Sequence, residues 1–212
     1  QIDGFDIDID ALINARVDLK AGQSPSNNLY ISKKKTPDEF AVCFLIDSSL
    51  SSDSYVNGEK IIDIIKESLF VLQEAIDGLF HNLMIATFYS NTRKNTSFNI
   101  VKNFDETWSH VKSRSINIVP TGYTRIGGAL RHSIHCLEKS KSKNKVIILL
   151  SDGKPTDYDA YEGVYGISDV RQCVREANAN DIEILSLAID KNAKFYFPQL
   201  FGANNYQVIS SP

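Results

Sequence analysis

The chain has 212 residues, of which 42% are hydrophobic and 10% aromatic, and its 23 basic and 26 acidic residues leave a net charge of −3. That length holds one domain with an attached segment. The mild acidic excess argues against a general nucleic-acid binder, and no apolar stretch reaches the length of a membrane span.

Residues 1–38 differ from the rest. Asp3, Asp6, Asp8 and Asp10 make an acidic start, and Ile7, Leu12, Ile13 and Val17 fall on one face of a short helix. Residues 22–28 read as a loop, and Lys33, Lys34 and Lys35 as a solvated basic run. We expect a lead-in segment over 1–38 and a domain over 39–212. Gln1 in place of a starting Met reads as a fragment or a processed product, with no secretory signal. Cys43, Cys136 and Cys173 are widely spaced in apolar surroundings. They read as reduced thiols of a cytoplasmic protein, and no paired Cys or His spacing suggests zinc.

Residues 40–46 are apolar throughout, which predicts a buried strand. The run ends at Asp47, and Ser49 and Ser51 follow at alternating positions. In open α/β sheets, ligands bind at the carboxyl ends of strands. One carboxylate and two hydroxyls turned to a common point suit a hard cation such as Mg²⁺. The same residues also suit a turn or a helix cap.

A helix is predicted over 58–80, with Ile61, Ile65, Leu69, Leu72, Ile76 and Leu79 on its inner face. Residues 82–89 read as a second buried strand. Residues 97–101, after a polar turn, read as an antiparallel edge strand. A short helix with Trp108 is predicted over 105–112. A loop over 120–124 leads into a helix over 125–138, with Ile126, Ala129, Leu130, Ile134 and Leu137 inward. A buried strand over 145–150 ends in Ser151-Asp152-Gly153. A long polar and aromatic loop over 154–167 precedes a helix capped by Ser168, which buries Val170, Cys173, Val174 and Ala177. A strand over 182–189, a helix over 193–200 and a strand over 206–209 close the chain. Alternating helices and doubly apolar strands predict an α/β fold. The sheet is doubly wound, Rossmann-like and mainly parallel, with one antiparallel edge strand and helices on both faces.

Two further oxygen sources fall at comparable places. Thr124 stands at the start of the 125–138 helix, and Asp152 ends the 145–150 strand. If that strand lies beside 40–46, Asp47 and Asp152 end side by side. Two such carboxylates need a shared proton or a cation.

Asp47-x-Ser49-x-Ser51, then Thr124, then Asp152 in Ser151-Asp152-Gly153, resembles the metal-ion-dependent adhesion site (MIDAS) of von Willebrand factor A (VWA) domains. The resemblance covers residues 40–210. It implies Mg²⁺, or Mn²⁺ or Ca²⁺, held directly by Ser49, Ser51 and Thr124 and through water by Asp47 and Asp152. Residues 120–132 and 152–169 are similar to the C-terminal domain of the NorD/CbbO proteins, and residues 6–22 resemble the lead-in found there. That likeness implies a non-catalytic adaptor that works with a MoxR-type AAA+ ATPase (NorQ/CbbQ-like). The client protein would offer an acidic residue to the metal, and nitric oxide reductase or Rubisco is the type of target. Tyr123, Arg125, Tyr158, Tyr161 and Tyr165 are candidate partner-binding residues beside this face. For Arg125 a salt bridge within the protein is equally open. For Tyr158, Tyr161 and Tyr165 so is stacking that holds the long loop. Two other readings are a stand-alone adhesion-type module and an Mg²⁺-dependent phosphohydrolase. Against the latter, no second acid closely follows Asp47.

Overall fold

The computed structural model describes residues 6–7, 9–25, 30–31, 39–56, 58–76, 82–151, 154–189 and 191–208. The chain divides into two units, Gln1–Pro37 and Asp38–Pro212. In the first, strands β1 (Asp6–Ile7) and β2 (Tyr30–Ile31) pair antiparallel, and helix α1 spans Ile9–Lys20. Ala15 is the buried residue of α1; Leu12, Ile13 and Val17, its expected inner face, are about half exposed. Lys33, Lys34 and Lys35 lie outside the described residues.

The second unit opens with β3 (Phe40–Asp47), a 3-10 turn at Leu50–Asp53, and the hairpin of β4 (Tyr55–Val56) and β5 (Glu59–Lys60). Helix α2 (Ile61–Ile76) leads to β6 (Asn82–Thr92) and β7 (Asn95–Lys102). A 3-10 turn at Trp108–His110 runs into α3 (Val111–Ile116). Then come α4 (Ile126–Glu138), β8 (Asn144–Ser151), α5 (Gly163–Ala179) and β9 (Ile182–Ala188). A 3-10 turn at Lys191–Phe195, α6 (Phe197–Phe201) and β10 (Tyr206–Val208) follow.

The main sheet has the order β10-β9-β8-β3-β6-β7. Every pairing is parallel except β6 with β7. This is the predicted α/β architecture with its antiparallel edge strand. Successive side chains of a strand point to opposite faces, so each central strand feeds two cores. Cys43, Leu45, Met84 and Ile147 pack against Leu130 and Leu137 of α4 and Val170 and Cys173 of α5. Val42, Ile46, Leu83 and Ile85 pack against Ile61, Ile65 and Leu69 of α2 and Val111 of α3. Leu79 lies outside the described residues.

Several boundaries differ from expectation. Helix α2 begins three residues late because Gly58, at φ +93°, turns the β4–β5 hairpin and is not helical. Helix α5 begins at Gly163, so Ser168 is an exposed residue inside it and not its cap. Two glycines, Gly163 and Gly166, disguised that first turn as loop. The helix expected over 193–200 is a 3-10 turn followed by α6, with Pro198 in the first turn of α6, where its missing N–H costs nothing.

Candidate metal centre

Strand β3 ends at Asp47, between Phe88 of β6 and the end of β8. The Asp47 side chain is 1% exposed. Its Oδ1 accepts a hydrogen bond from the Ser49 N–H at 2.9 Å, and its Oδ2 accepts one from the Ser151 hydroxyl at 2.8 Å. The carboxylate is therefore aimed from its own loop and from the neighbouring strand. The hydroxyls of Ser49 and Ser51 lie 2.7 Å apart. An octahedral cation with oxygens at about 2.1 Å holds adjacent ligand oxygens about 3 Å apart, so this pair fits one edge of such a shell. An all-oxygen donor set suits a hard divalent ion.

The loop that carries Thr124 is sewn to this turn. The Thr121 N–H donates to the Ser48 carbonyl at 2.9 Å, and the Leu50 N–H to the Gly122 carbonyl at 3.0 Å. Tyr123 and Ser90 exchange two backbone hydrogen bonds, at 2.6 and 2.9 Å. Thr124 and Thr156 do the same, at 2.9 and 3.1 Å. Gly122 has φ +69°, and a Cβ there would stand 2.4 Å from the Ser90 carbonyl oxygen. Only glycine fits that crossing. Thr124 is 3% exposed. Asp152 lies outside the described residues; Ser151, just before it, ends β8 beside Asp47.

The next residue, Arg125, turns inward. It is 6% exposed, and its Nε donates to Asp157 Oδ2 at 2.8 Å. Its Nη2 pairs with Asp159, whose other oxygen accepts the Arg93 N–H at 2.9 Å. The guanidinium lies over the Tyr161 ring, 4.1 Å from its centroid. Burial works against the Arg125 charge, but the two carboxylates outweigh it and raise the pKa above its ordinary value. The bond from the Arg93 N–H, aided by Arg125, holds the Asp159 carboxyl below its usual range.

Tyr161 is fully buried; its hydroxyl donates to Asp169 at 2.5 Å and accepts the Gly127 N–H at 3.2 Å. Burial first, then Asp169, pushes the phenol well above its ordinary pKa. Arg125 and Tyr161 thus stand inside the protein, where the sequence had offered them to a partner. Tyr161 and Tyr165 meet edge to face at 5.4 Å, which is the loop-holding alternative. Tyr123, Tyr158 and Tyr165 are 40, 78 and 55% exposed and do face solvent.

Sequence reasoning missed Ser151 as the group that aims Asp47, Asp157 and Asp159 as the partners of Arg125, and Asp169 as the partner of Tyr161. The Asp157-x-Asp159 alternation was the available signal. A cleft of about 430 Å³ is lined in part by Ser48, Thr87, Tyr89, Asn99, Arg114 and Thr121, with no carboxylate among its described lining residues.

Residues 41–208 match the model of the von Willebrand factor type A domain. The chain is 35% identical over 212 residues to Protein NorD of Brucella abortus (strain 2308), covering 100% of this chain and 34% of that protein. It is 31% identical to Protein NorD of Stutzerimonas stutzeri, covering 100% of this chain and 35% of that one. The chain therefore spans about a third of the length of these curated relatives. Among solved structures, the PilB minor pilin from Streptococcus sanguinis superposes with a TM-score of 0.62 at 14% identity, over 86% of this chain and 59% of that one. The SpRpn10 VWA domain superposes with a TM-score of 0.54 at 13% identity, over 82% and 88%. Identities this low speak for the fold alone, and that fold is the one the family model describes. The chain belongs to the von Willebrand factor type A domain family.

Proposed function

We propose that this chain is the metal-dependent protein-binding domain of a NorD-like protein and that it is not an enzyme. The observation that carries the reading is the pair of Ser49 and Ser51 hydroxyls, 2.7 Å apart, beside a buried Asp47 held from two directions. Thr124 and Asp152 complete the proposed ligand set. Ser49, Ser51 and Thr124 would hold a Mg²⁺ whose positive charge would attract an external carboxylate. Being neutral, these three residues offset little of the cation's charge and so keep it attractive to an acid. Asp47 orients the serine turn through its bond with the Ser49 N–H.

Leu50, Tyr123, Tyr158 and Tyr165 are exposed and apolar or aromatic, which suits contact with the residues flanking that acid. The whole-chain likeness to proteins named NorD supports a MoxR-type AAA+ ATPase (NorQ/CbbQ-like) as partner, in maturation or activation of a client enzyme in the cytoplasm. Among the described residues, no helix is long and apolar enough to cross a membrane.

The test is capture of a MoxR-type (NorQ/CbbQ-like) ATPase, in Mg²⁺, in EDTA and with Asp152→Ala. Capture that requires both the metal and Asp152 places the ATPase at the metal face. Capture indifferent to both leaves that face to the client. With neither ATPase nor a candidate client captured in Mg²⁺, the adaptor reading falls.

A further inference from the structure

We infer that Arg125 is a positioning residue for Thr124, and that its clamp by Asp157, Asp159 and Tyr161 sets the affinity of the metal centre. The inference rests on the proposed role of Thr124 as a metal ligand.

The geometry is specific. Arg125 follows Thr124 directly and is the residue at which the loop becomes α4. Its backbone N–H donates to the Ser90 hydroxyl at 3.1 Å, so its main chain is fixed to β6. Its side chain is fixed to the opposite loop by Asp157 and Asp159, and stacked on Tyr161. Asp157 itself follows Thr156, the residue that exchanges two hydrogen bonds with Thr124. Backbone and side-chain ties therefore converge on one short stretch, 124–125, from both flanking segments. The Tyr161 hydroxyl adds a third tie, to the Gly127 N–H in the first turn of α4. A ligand hydroxyl next to so constrained a residue has little freedom of orientation. Groups that orient a metal's ligands typically contribute about ten- to a hundredfold to affinity.

Charge makes the inference separable from simple electrostatics. A guanidinium one residue from a cation ligand opposes cation binding, while Asp157 and Asp159 favour it. Removing the Arg125 charge leaves two uncompensated carboxylates, so electrostatics alone would tighten cation binding in Arg125→Met. Loss of positioning would weaken it. The double variant Arg125→Met/Asp157→Asn deletes the clamp while leaving the charge of the three-residue cluster unchanged. It also avoids a buried lone carboxylate at Asp157, which gives it the better chance of folding.

The experiment is Mn²⁺ affinity of the whole chain by electron paramagnetic resonance, with the melting temperature measured on the same samples. Thr124→Ala is the control. We expect both Arg125 variants to bind Mn²⁺ about ten- to a hundredfold more weakly. A purely structural residue would lower the melting temperature of the folded protein and leave its Mn²⁺ affinity alone. Unchanged or tighter Mn²⁺ binding by the folded double variant overturns the assignment. Failure of both variants to fold makes Arg125 a folding residue and overturns it too. If Thr124→Ala binds Mn²⁺ as the parent does, it is the metal reading that fails, and the inference goes with it.

Discussion

Ser51 is the exposed member of the hydroxyl pair, and nothing in either core depends on it. Ser51→Ala should therefore weaken Mn²⁺ binding at least about tenfold while moving the melting temperature by no more than about 2 °C. Titration and a thermal melt on one sample check both halves. The thiols give a prediction of different sign. Cys43 and Cys173 are buried, and burial pushes each from its ordinary 9.0 up to about 12. Above pH 9 the unfolded chain sheds protons that the folded chain keeps. Stability from this source is intact below pH 9 and falls as pH rises toward 12, by at most about 1.4 kcal/mol per pH unit per thiol. Urea midpoints at pH 8.5 and pH 10.5 should show the fall, and Cys43→Val should make it shallower by about one proton. At this scale the sequence exposed some residues and hid others for one reason. Asp47, Ser49 and Ser51 are neighbours in the chain, so their alternation is visible. Arg125 takes its role from carboxylates 32 and 34 residues away, and the Asp157-x-Asp159 alternation marks a pair of acids without saying which cation they hold.

At the scale of the element, α4 illustrates how packing overrides propensity. Replacing a glycine inside a helix by alanine ordinarily stabilises it by about 0.5–1 kcal/mol. At Gly127 the added Cβ would stand 1.9 Å from Asp169 Oδ2 and 2.9 Å from the Tyr161 hydroxyl. Gly127→Ala should instead destabilise the protein by about 1–3 kcal/mol, the usual range for overpacking. A raised melting temperature would contradict this packing of α5 on α4. Leu130, fully buried between the sheet and α5, should cost about 2–5 kcal/mol when cut to alanine, read from urea unfolding. Strands were the legible elements, because β3 and β6 are apolar on both faces, as strands covered by helices on either side must be. The β7 edge was legible from its alternation. The start of α4 was legible to within one residue, while those of α2 and α5 were not: the first turn of α5 contains two glycines and its N-cap, Glu162, makes no side-chain capping bond. The β4–β5 hairpin is only two residues on each side, below what periodicity can resolve.

At the scale of the whole chain, the buried residues of both cores fall between Ala41 and Phe201. A fragment of residues 38–212 should therefore fold alone, with a melting temperature within about 5 °C of the parent and unchanged Mn²⁺ affinity. Calorimetry on the two chains checks this, and a fragment that fails to fold would move part of the core's support into the first unit. The sheet order carries a final consequence, in time. Strand β8 sits beside β3, and the Ser151 hydroxyl reaches an Asp47 made 104 residues earlier. A chain emerging from the ribosome at about 5–20 residues per second passes several seconds with Asp47, Ser49 and Ser51 already made and their far support not yet translated. Closing so long a loop is slow compared with forming a helix or hairpin. The oxygen cluster is thus a late event in the birth of the molecule. A truncated or half-folded chain has the first serines but not the clasp, so any grip on a partner is reserved for a finished domain.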